Sequence, residues 1–199
     1  MKIFSLNCRG LGNPETVGKL HNYVRKEDPK IVFLMETRLQ VRDLEFFRVR
    51  LGMGSCFGVE RHGYGGGLAL IWDSSLIVQI RSFSDSHIDV DVQQSDGLWW
   101  RLTGFYGHFE VALRVHSWAL LRRLHNMTDA PWLVVGDFNE IVSLNEQSGR
   151  TCRRLGQMAA FREALSDCSL QDLGYQGPPF TWSNRRGRHD LVRVRLDRG

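Results

Sequence analysis

Two spacings organise the apolar residues of this chain. Continuous or alternating runs read as strands, and apolar residues three or four apart read as helices. "KIFSLN" opens the chain as a strand, with Ile3, Phe4 and Leu6 as its apolar part. A helix is expected over "NPETVGKLHNYVRKEDP", where Val17, Leu20 and Val24 form one stripe. Asn13 can cap it, Pro14 suits its first turn and Pro29 stops it. "KIVFLMET" is a continuous apolar strand of the fully buried kind, and "LALIW" is another, led in by Gly65, Gly66 and Gly67. "IVQIRSF", "HIDVDVQ" and "WWRLTGFY" alternate more loosely, with "QSDG" as a hairpin turn. Antiparallel pairing with one wet face fits that alternation. "LRVHSWALLRRLHNM" returns to the helical period through Leu113, Trp118, Leu121 and Leu124, and "WLVVGDFN" is the next buried strand. A further helix carries Leu155, Met158, Phe161, Leu165 and Cys168. The last stretch holds a proline-glycine turn, a short "FTWSN" strand and a very basic end.

The order is therefore β-α-β, a run of strands, α-β-α, then strands. A purely parallel doubly wound sheet contains no such meander. The order predicts an α/β fold in four layers, two stacked mixed β-sheets with helices outside. With 199 residues, no internal repeat and no dividing linker, residues 1–199 read as a single domain. An apolar fraction of 42% is enough for a sizeable core.

Charge and cysteine change this picture little. The net charge of +4 suits a polyanionic partner without requiring one. Cys8, Cys56, Cys152 and Cys168 lie far apart with no C-x-x-C pair, so zinc spacing is absent and free thiols in a reducing compartment are expected. The N-terminus does not read as a signal peptide, and no apolar run is long enough for a membrane span. The expectation is a soluble, intracellular monomer.

The chemistry lies where the buried strands end. "KIFSL" runs into Asn7, "KIVFLM" into Glu36, "RLTGF" into Tyr106, and "WLVV" into Asp137 and Asn139. Gly, Asp and Asn are common turn residues, so one such ending means little. Ionisable groups beside apolar strands are costly unless paired or metal-bound, and ligand crevices in α/β sheets open at strand carboxyl ends. Glu with Asp and Asn, without His-Cys clusters, points to oxygen-ligand metal chemistry of the Mg²⁺ kind, which assists phosphoester hydrolysis. No P-loop glycine pattern and no G-x-S-x-G elbow occurs.

"LNCRGLGNPETV", "IVFLMETRL", "GGGLALIW", "GFYGH", "VVGDFNEI", "FREALSDCSLQDLGYQGPPFTWSNRRG" and "VRLDR" occur in that order. Together they closely resemble the endonuclease domain of plant LINE-type, non-LTR retrotransposons, a branch of the endonuclease/exonuclease/phosphatase superfamily with the DNase I-like fold. The resemblance covers essentially the whole chain. It implies that Glu36 binds a divalent metal (Mg²⁺ or Mn²⁺) and that Asn7 supports metal and phosphate beside it. It implies that Asp137 positions or deprotonates the attacking water, that Asn139 holds phosphate and orients Asp137, and that Tyr106 approaches the scissile phosphate. It implies DNA as partner and a nuclear location. Arg9 and the cluster Arg185, Arg186 and Arg188 are candidates for nucleic-acid contact. Arg195 and Asp197 match the "RLD" motif, and no catalytic role is carried over to them.

Two departures stand out. Arg9 occupies the position where repair-type relatives carry a second acidic ligand, which leaves the metal largely to Glu36. The family also continues for about two more strands to a Ser-Asp-His motif, so a domain lacking its C-terminal strands is expected. "SDSH" at Ser84–His87 has the wrong spacing and reads as a decoy, and His189 reads as a loop residue. Two functions follow as expectations: a metal-dependent, DNA-nicking phosphodiesterase, or a catalytically inactive remnant with weak nucleic-acid affinity.

Overall fold

The computed structural model describes residues 1–60, 66–127, 129–150, 153–187 and 190–199. Its chain forms two compact units, one of Met1–Tyr106 with Ala130–Gly136, the other of Gly107–Asp129 with Asp137–Gly199.

In the first unit, β1 (Ile3–Asn7) and β2 (Ile31–Met35) pair in parallel, joined through α1 (Pro14–Glu27). The start of α1 follows from its residues. Asn13 Oδ1 accepts the Glu15 N–H at 2.9 Å, and Pro14 needs no partner for a missing donor. β4 (Leu68–Trp72) pairs antiparallel with β2 on one side and with β3 (Ser55–Val59) on the other, giving a mixed sheet in the order β1-β2-β4-β3. A second sheet is built from the antiparallel meander β5 (Ile77–Ser84), β6 (His87–Gln93) and β7 (Trp99–Tyr106), with β8 (Trp132–Asp137) beside β7. Arg101 N–H donates to the Pro131 carbonyl and Gly136 lies against the Phe105 carbonyl, so β8 runs in the direction of β7. The sequence "QSDG" makes the β6–β7 turn, with Gly97 N–H on the Gln94 carbonyl and Gly97 at φ +84°.

The inner faces of the two sheets share one core. Phe33, Met35 and Leu70 meet Ile88, Val90, Val92 and Leu102, all buried. Each such side chain contributes roughly 1.5–3 kcal/mol when taken out of water. The approach is closest at Gly104, where an added Cβ would lie 2.4 Å from the Phe33 ring. On the outer face of the first sheet, Leu20 and Val24 of α1 cover Val32, Leu34 and Ile71.

A helix that the apolar spacing did not announce, α2 (Val41–Arg50), joins this layer through Leu44 and Phe47. Its partner strand β3 was likewise unanticipated. Gly58 explains both, because a Cβ there would stand 2.2 Å from Leu44 Cδ1. The absent side chain lets the helix sit on the strand. The expected wet face of the meander is present on β5, whose residues alternate between exposed and half-buried, but is largely lost on β6 and β7. Asp89, Arg101 and Thr103 are fully buried, with Asp89 accepting from Arg101 Nε at 2.8 Å, Arg101 Nη2 at 2.9 Å and Thr103 Oγ1 at 2.5 Å. Ion pairing, not water, satisfies that polar alternation.

The second unit holds α3 (Arg114–His125) and α4 (Leu155–Asp167), which stack Trp118 on Phe161 at 4.6 Å between ring centroids. A small antiparallel sheet runs β10-β11-β9, from β9 (Gln147–Ser148), β10 (Trp182–Ser183) and β11 (Arg193–Val194), and β12 (Asp197–Arg198) ends the chain. Trp182 packs on Ile141, Met158, Val194 and Leu196 as a core residue. The arginines of "RLDR" are structural. Arg195 bonds Glu146 at 3.0 Å and Asp172 at 2.7 Å, and Arg198 pairs with the same two carboxylates. Among the described residues no helix is long and apolar enough to cross a membrane.

Candidate active site

The first group of candidate residues belongs to the first unit and is built by the parallel pair β1–β2. Beyond the strand ends the two chains keep company. Cys8 N–H donates to the Met35 carbonyl, Gly10 N–H to Glu36 and Leu11 N–H to Thr37. Asn7 and Glu36 therefore emerge side by side. Asn7 Nδ2 donates to Glu36 Oε1 at 2.8 Å, and Tyr106 OH, from the end of β7, donates to the same oxygen at 2.9 Å. Glu36 Oε2 meets Arg38 Nη2 at 3.8 Å, beyond hydrogen-bond distance. The Glu36 side chain is 20% exposed. Arg9 is exposed, and its backbone N–H donates to Asn7 Oδ1 at 3.2 Å.

The backbone here is unusual. Arg9, Glu36 and Arg38 lie at φ +51°, +50° and +54°, conformations that non-glycine residues rarely adopt. Strain of this kind collects at functional sites, where the surroundings over-determine it. Cys8, between the candidates, is an inert thiol. Burial, with the Glu36 charge adding to it, pushes its pKa up to about 12.

The second group, Asp137 and Asn139, belongs to the second unit. Asp137 is buried and its Oδ1 accepts the Asn139 N–H at 2.9 Å, the closure of an Asx-turn. Asn139 stands at φ +56° and its Nδ2 donates to the Gly107 carbonyl at 2.8 Å. Gly107 N–H in turn donates to the Asp137 carbonyl at 2.8 Å. A Cβ at Gly107 would lie 2.4 Å from the Phe138 carbonyl oxygen, so only glycine allows this approach. "GDFN" is thus a turn and something more, since the Asn139 amide is fixed in place by side-chain bonding.

Of the remaining candidates, Arg185 and Arg186 are exposed in a loop of the second unit that Asn184 organises. Its Oδ1 accepts from Arg186 N–H at 3.2 Å and Val192 N–H at 3.1 Å. Arg188 and His189 lie outside the described residues. His87 is 1% exposed, with Ser82 Oγ at 3.0 Å from Nε2 and Ser84 Oγ at 2.7 Å from Nδ1. The histidine of "SDSH" is spent on packing.

Several residues near the candidates escaped the sequence reading. Arg38 approaches Glu36, and Arg114, buried in the second unit, feels the charge of Asp137. Arg38 could have been found from its place two residues after Glu36. Nothing in the spacing marks Arg114.

Among the described residues no three His, Cys, Asp or Glu side chains cluster. A zinc-like or multi-carboxylate cage is therefore not built from them. The donors in the first unit instead fit a hard cation that keeps other oxygens. Glu36 Oε1 is already pinned by two donors, while Glu36 Oε2 and Asn7 Oδ1 are oxygens of the kind Mg²⁺ takes alongside water and phosphate.

The Endonuclease/Exonuclease/phosphatase family matches residues 4–198, and the chain belongs to it. Solved structures share its fold. The endonuclease domain of TRAS1, a telomere-specific non-LTR retrotransposon, superposes with a TM-score of 0.70 at 12% identity, covering 98% of this chain and 82% of that one. The 3′ phosphatase NExo from Neisseria, bound to a product DNA hairpin, gives 0.69 at 16% identity over 98% and 86%. An AP endonuclease from Archaeoglobus fulgidus gives 0.69 at 13% identity over the same shares. No curated protein sequence matches significantly.

Proposed function

We propose that the chain is a divalent-metal-dependent phosphodiesterase that nicks DNA, of the kind found in non-LTR retrotransposons. The observation that carries this reading is the three-way bond at Glu36. Asn7 and Tyr106 both donate to Oε1 and fix the carboxylate, and neither bond engages Oε2. Glu36, supported by Asn7, would hold Mg²⁺ or Mn²⁺. That ion supplies charge neutralisation for a phosphodiester. Asp137 takes the proton of the attacking water, its Oδ1 oriented by the Asn139 N–H. Asn139 and Tyr106 hold phosphate oxygens. Arg9, Arg185, Arg186 and Arg188 contact the DNA backbone, a salt-dependent contribution. The protein acts as a monomer in the nucleus.

Relaxation of supercoiled plasmid with Mg²⁺ or Mn²⁺ tests this. Nicking that is metal-dependent and lost in Glu36→Ala is expected, and nicking that survives the substitution sinks the assignment of Glu36. A second reading, a folded chain without turnover, is favoured by one observation. His87, the histidine of the Ser-Asp-Ser-His stretch, is buried and bonded to Ser82 and Ser84, so it offers no phosphate-binding group. No nicking under any metal, with DNA binding retained, is its signature.

A further inference from the structure

We propose that Glu140, acting through Arg153 and Arg114, is the residue that positions Asn139. The proposal rests on the phosphodiesterase reading for its functional consequence, and on the geometry of the second unit for its substance.

Glu140 follows Asn139 directly and is fully buried, a costly place for a carboxylate unless it is paired. It is paired twice. Arg114 Nη1 binds Oε2, Arg153 Nη1 binds Oε1 at 3.0 Å, and the Ile141 N–H joins Oε1 at 2.9 Å. The same Arg153 nitrogen donates to the Asn139 carbonyl at 2.7 Å. Arg114 reaches the other way, its Nε to the His108 carbonyl and its Nη2 to the Phe109 carbonyl, each at 3.2 Å. Those carbonyls follow Gly107, whose own carbonyl receives the Asn139 amide at 2.8 Å. His108 N–H is held by Ser117 Oγ at 2.9 Å. One carboxylate therefore ties together the backbone of Asn139 and the segment that accepts its side chain.

The arrangement also answers the strain at Asn139. A residue at φ +56° keeps that conformation only where its neighbours leave no alternative. Arg153 fixes its carbonyl, Asp137 its N–H, and Gly107 its side chain. Charge is balanced locally. Burial pulls the Arg114 pKa below its ordinary value, the negative charges of Glu140 and Asp137 oppose that pull, and Arg153 adds to it. Glu140 and Asp137 together match the two guanidinium groups of Arg114 and Arg153, so no net excess of positive charge builds up there.

Arg153 is the residue to change, because it is partly exposed while Glu140 sits at the centre and its loss risks the fold. The first readout is independent of activity: hydrogen exchange of the Asn139 side-chain amide, identified by ¹⁵N NMR as the pair missing in Asn139→Ala. Arg153→Met is expected to speed that exchange at least about tenfold, since the opening of local structure governs exchange. Glu140 keeps Arg114 and the Ile141 N–H in that variant, so the variant's melting temperature should fall by several °C while the unfolding transition stays single and cooperative. Plasmid nicking should fall about 10²-fold, the scale of a misplaced catalytic group. Arg153→Lys should recover most of both losses, because a single nitrogen makes both bonds. In Asn139→Ala, adding Arg153→Met should cost no further activity. Unchanged Asn139 amide exchange in Arg153→Met overturns the proposal, and so does a penalty that adds in full to that of Asn139→Ala. A parent chain that nicks nothing refutes the phosphodiesterase reading instead, while the amide exchange still decides whether the brace exists.

Discussion

Replacing Gly136 with alanine tests how the strand that delivers Asp137 is packed. Gly136 lies at φ +144°, and a Cβ there would stand 1.9 Å from the Phe105 carbonyl oxygen, on the neighbouring strand. Ordinary contact begins near 3.4 Å, so the strands must part by about 1.5 Å, the difference between the two. Neighbouring strands sit only about 4.8 Å apart, and a shift of this size breaks the ladder locally. Two backbone bonds at about 0.5–1.5 kcal/mol each, plus roughly 1–3 kcal/mol for the disfavoured φ, give a loss of about 2–6 kcal/mol. That is a large share of the 5–15 kcal/mol expected for a domain. Gly18 in α1 is the control, with nothing within 4 Å of an added Cβ. Gly18→Ala should stabilise by about 0.5–1 kcal/mol, because alanine is the better helix former. Urea unfolding followed by tryptophan fluorescence reads both. A Gly136→Ala midpoint within about 0.5 kcal/mol of the parent, or equal damage from Gly18→Ala, refutes the packing argument.

Three further outcomes follow from single contacts. Tyr106→Phe removes one of the two donors on Glu36; with Glu36 20% exposed, water replaces part of the bond and about 1 kcal/mol of metal-free stability should be lost in urea titration. In a Glu36→Gln background the same change should cost measurably less. Asp89→Ala leaves Arg101 fully buried without its counter-charge and should cost about 3–5 kcal/mol, whereas Asp89→Leu with Arg101→Met should restore most of it in thermal melts. For Asp172, burial raises the carboxyl pKa, but the Arg195 hydrogen bond and the nearby Arg198 and Arg195 charges outweigh it and leave it below the ordinary value. A depressed acid contributes stability above its unfolded pKa of about 3.9, lost as pH falls through the lower folded value, so acid melts of Asp172→Asn should lack part of the fall below about pH 4.

How much could be read from residues alone depended on whether the signal was local. Asn13, Pro14, the stripe at Val17, Leu20 and Val24, and Pro29 all lie within α1 or at its edges, and that helix was legible. α2 is preceded by Gln40, which makes no capping bond, and its reason for packing is the missing side chain of Gly58, on another element. Alternation in β6 and β7 announced a polar face but could not say that Asp89 and Arg101 would pair with each other and not with water. Asn7 and Glu36 were legible as strand endings, and the parallel register Asn7↔Met35 is what sets them side by side. Glu140 was not legible, because Arg114 and Arg153 lie 26 and 13 residues away and buried pairing leaves no periodic trace.

Asn139 offers a way to separate what the fold needs from what the chemistry needs. At φ +56° glycine is at ease, whereas alanine costs roughly 1–2 kcal/mol, and asparagine lies between because its short polar side chain bonds locally. Asn139→Gly and Asn139→Ala both delete the bond to the Gly107 carbonyl, a loss of about 0.5–1.5 kcal/mol. In the glycine variant the relieved backbone offsets that loss, so its stability should fall within about 0.5 kcal/mol of the parent. The alanine variant should sit about 1–2 kcal/mol lower. If the asparagine is kept for phosphate and for Asp137, both variants lose nicking equally despite that difference. An Asn139→Gly chain that still nicks DNA places the residue among turn formers. Equal stability of the two variants removes backbone strain from the account of this site.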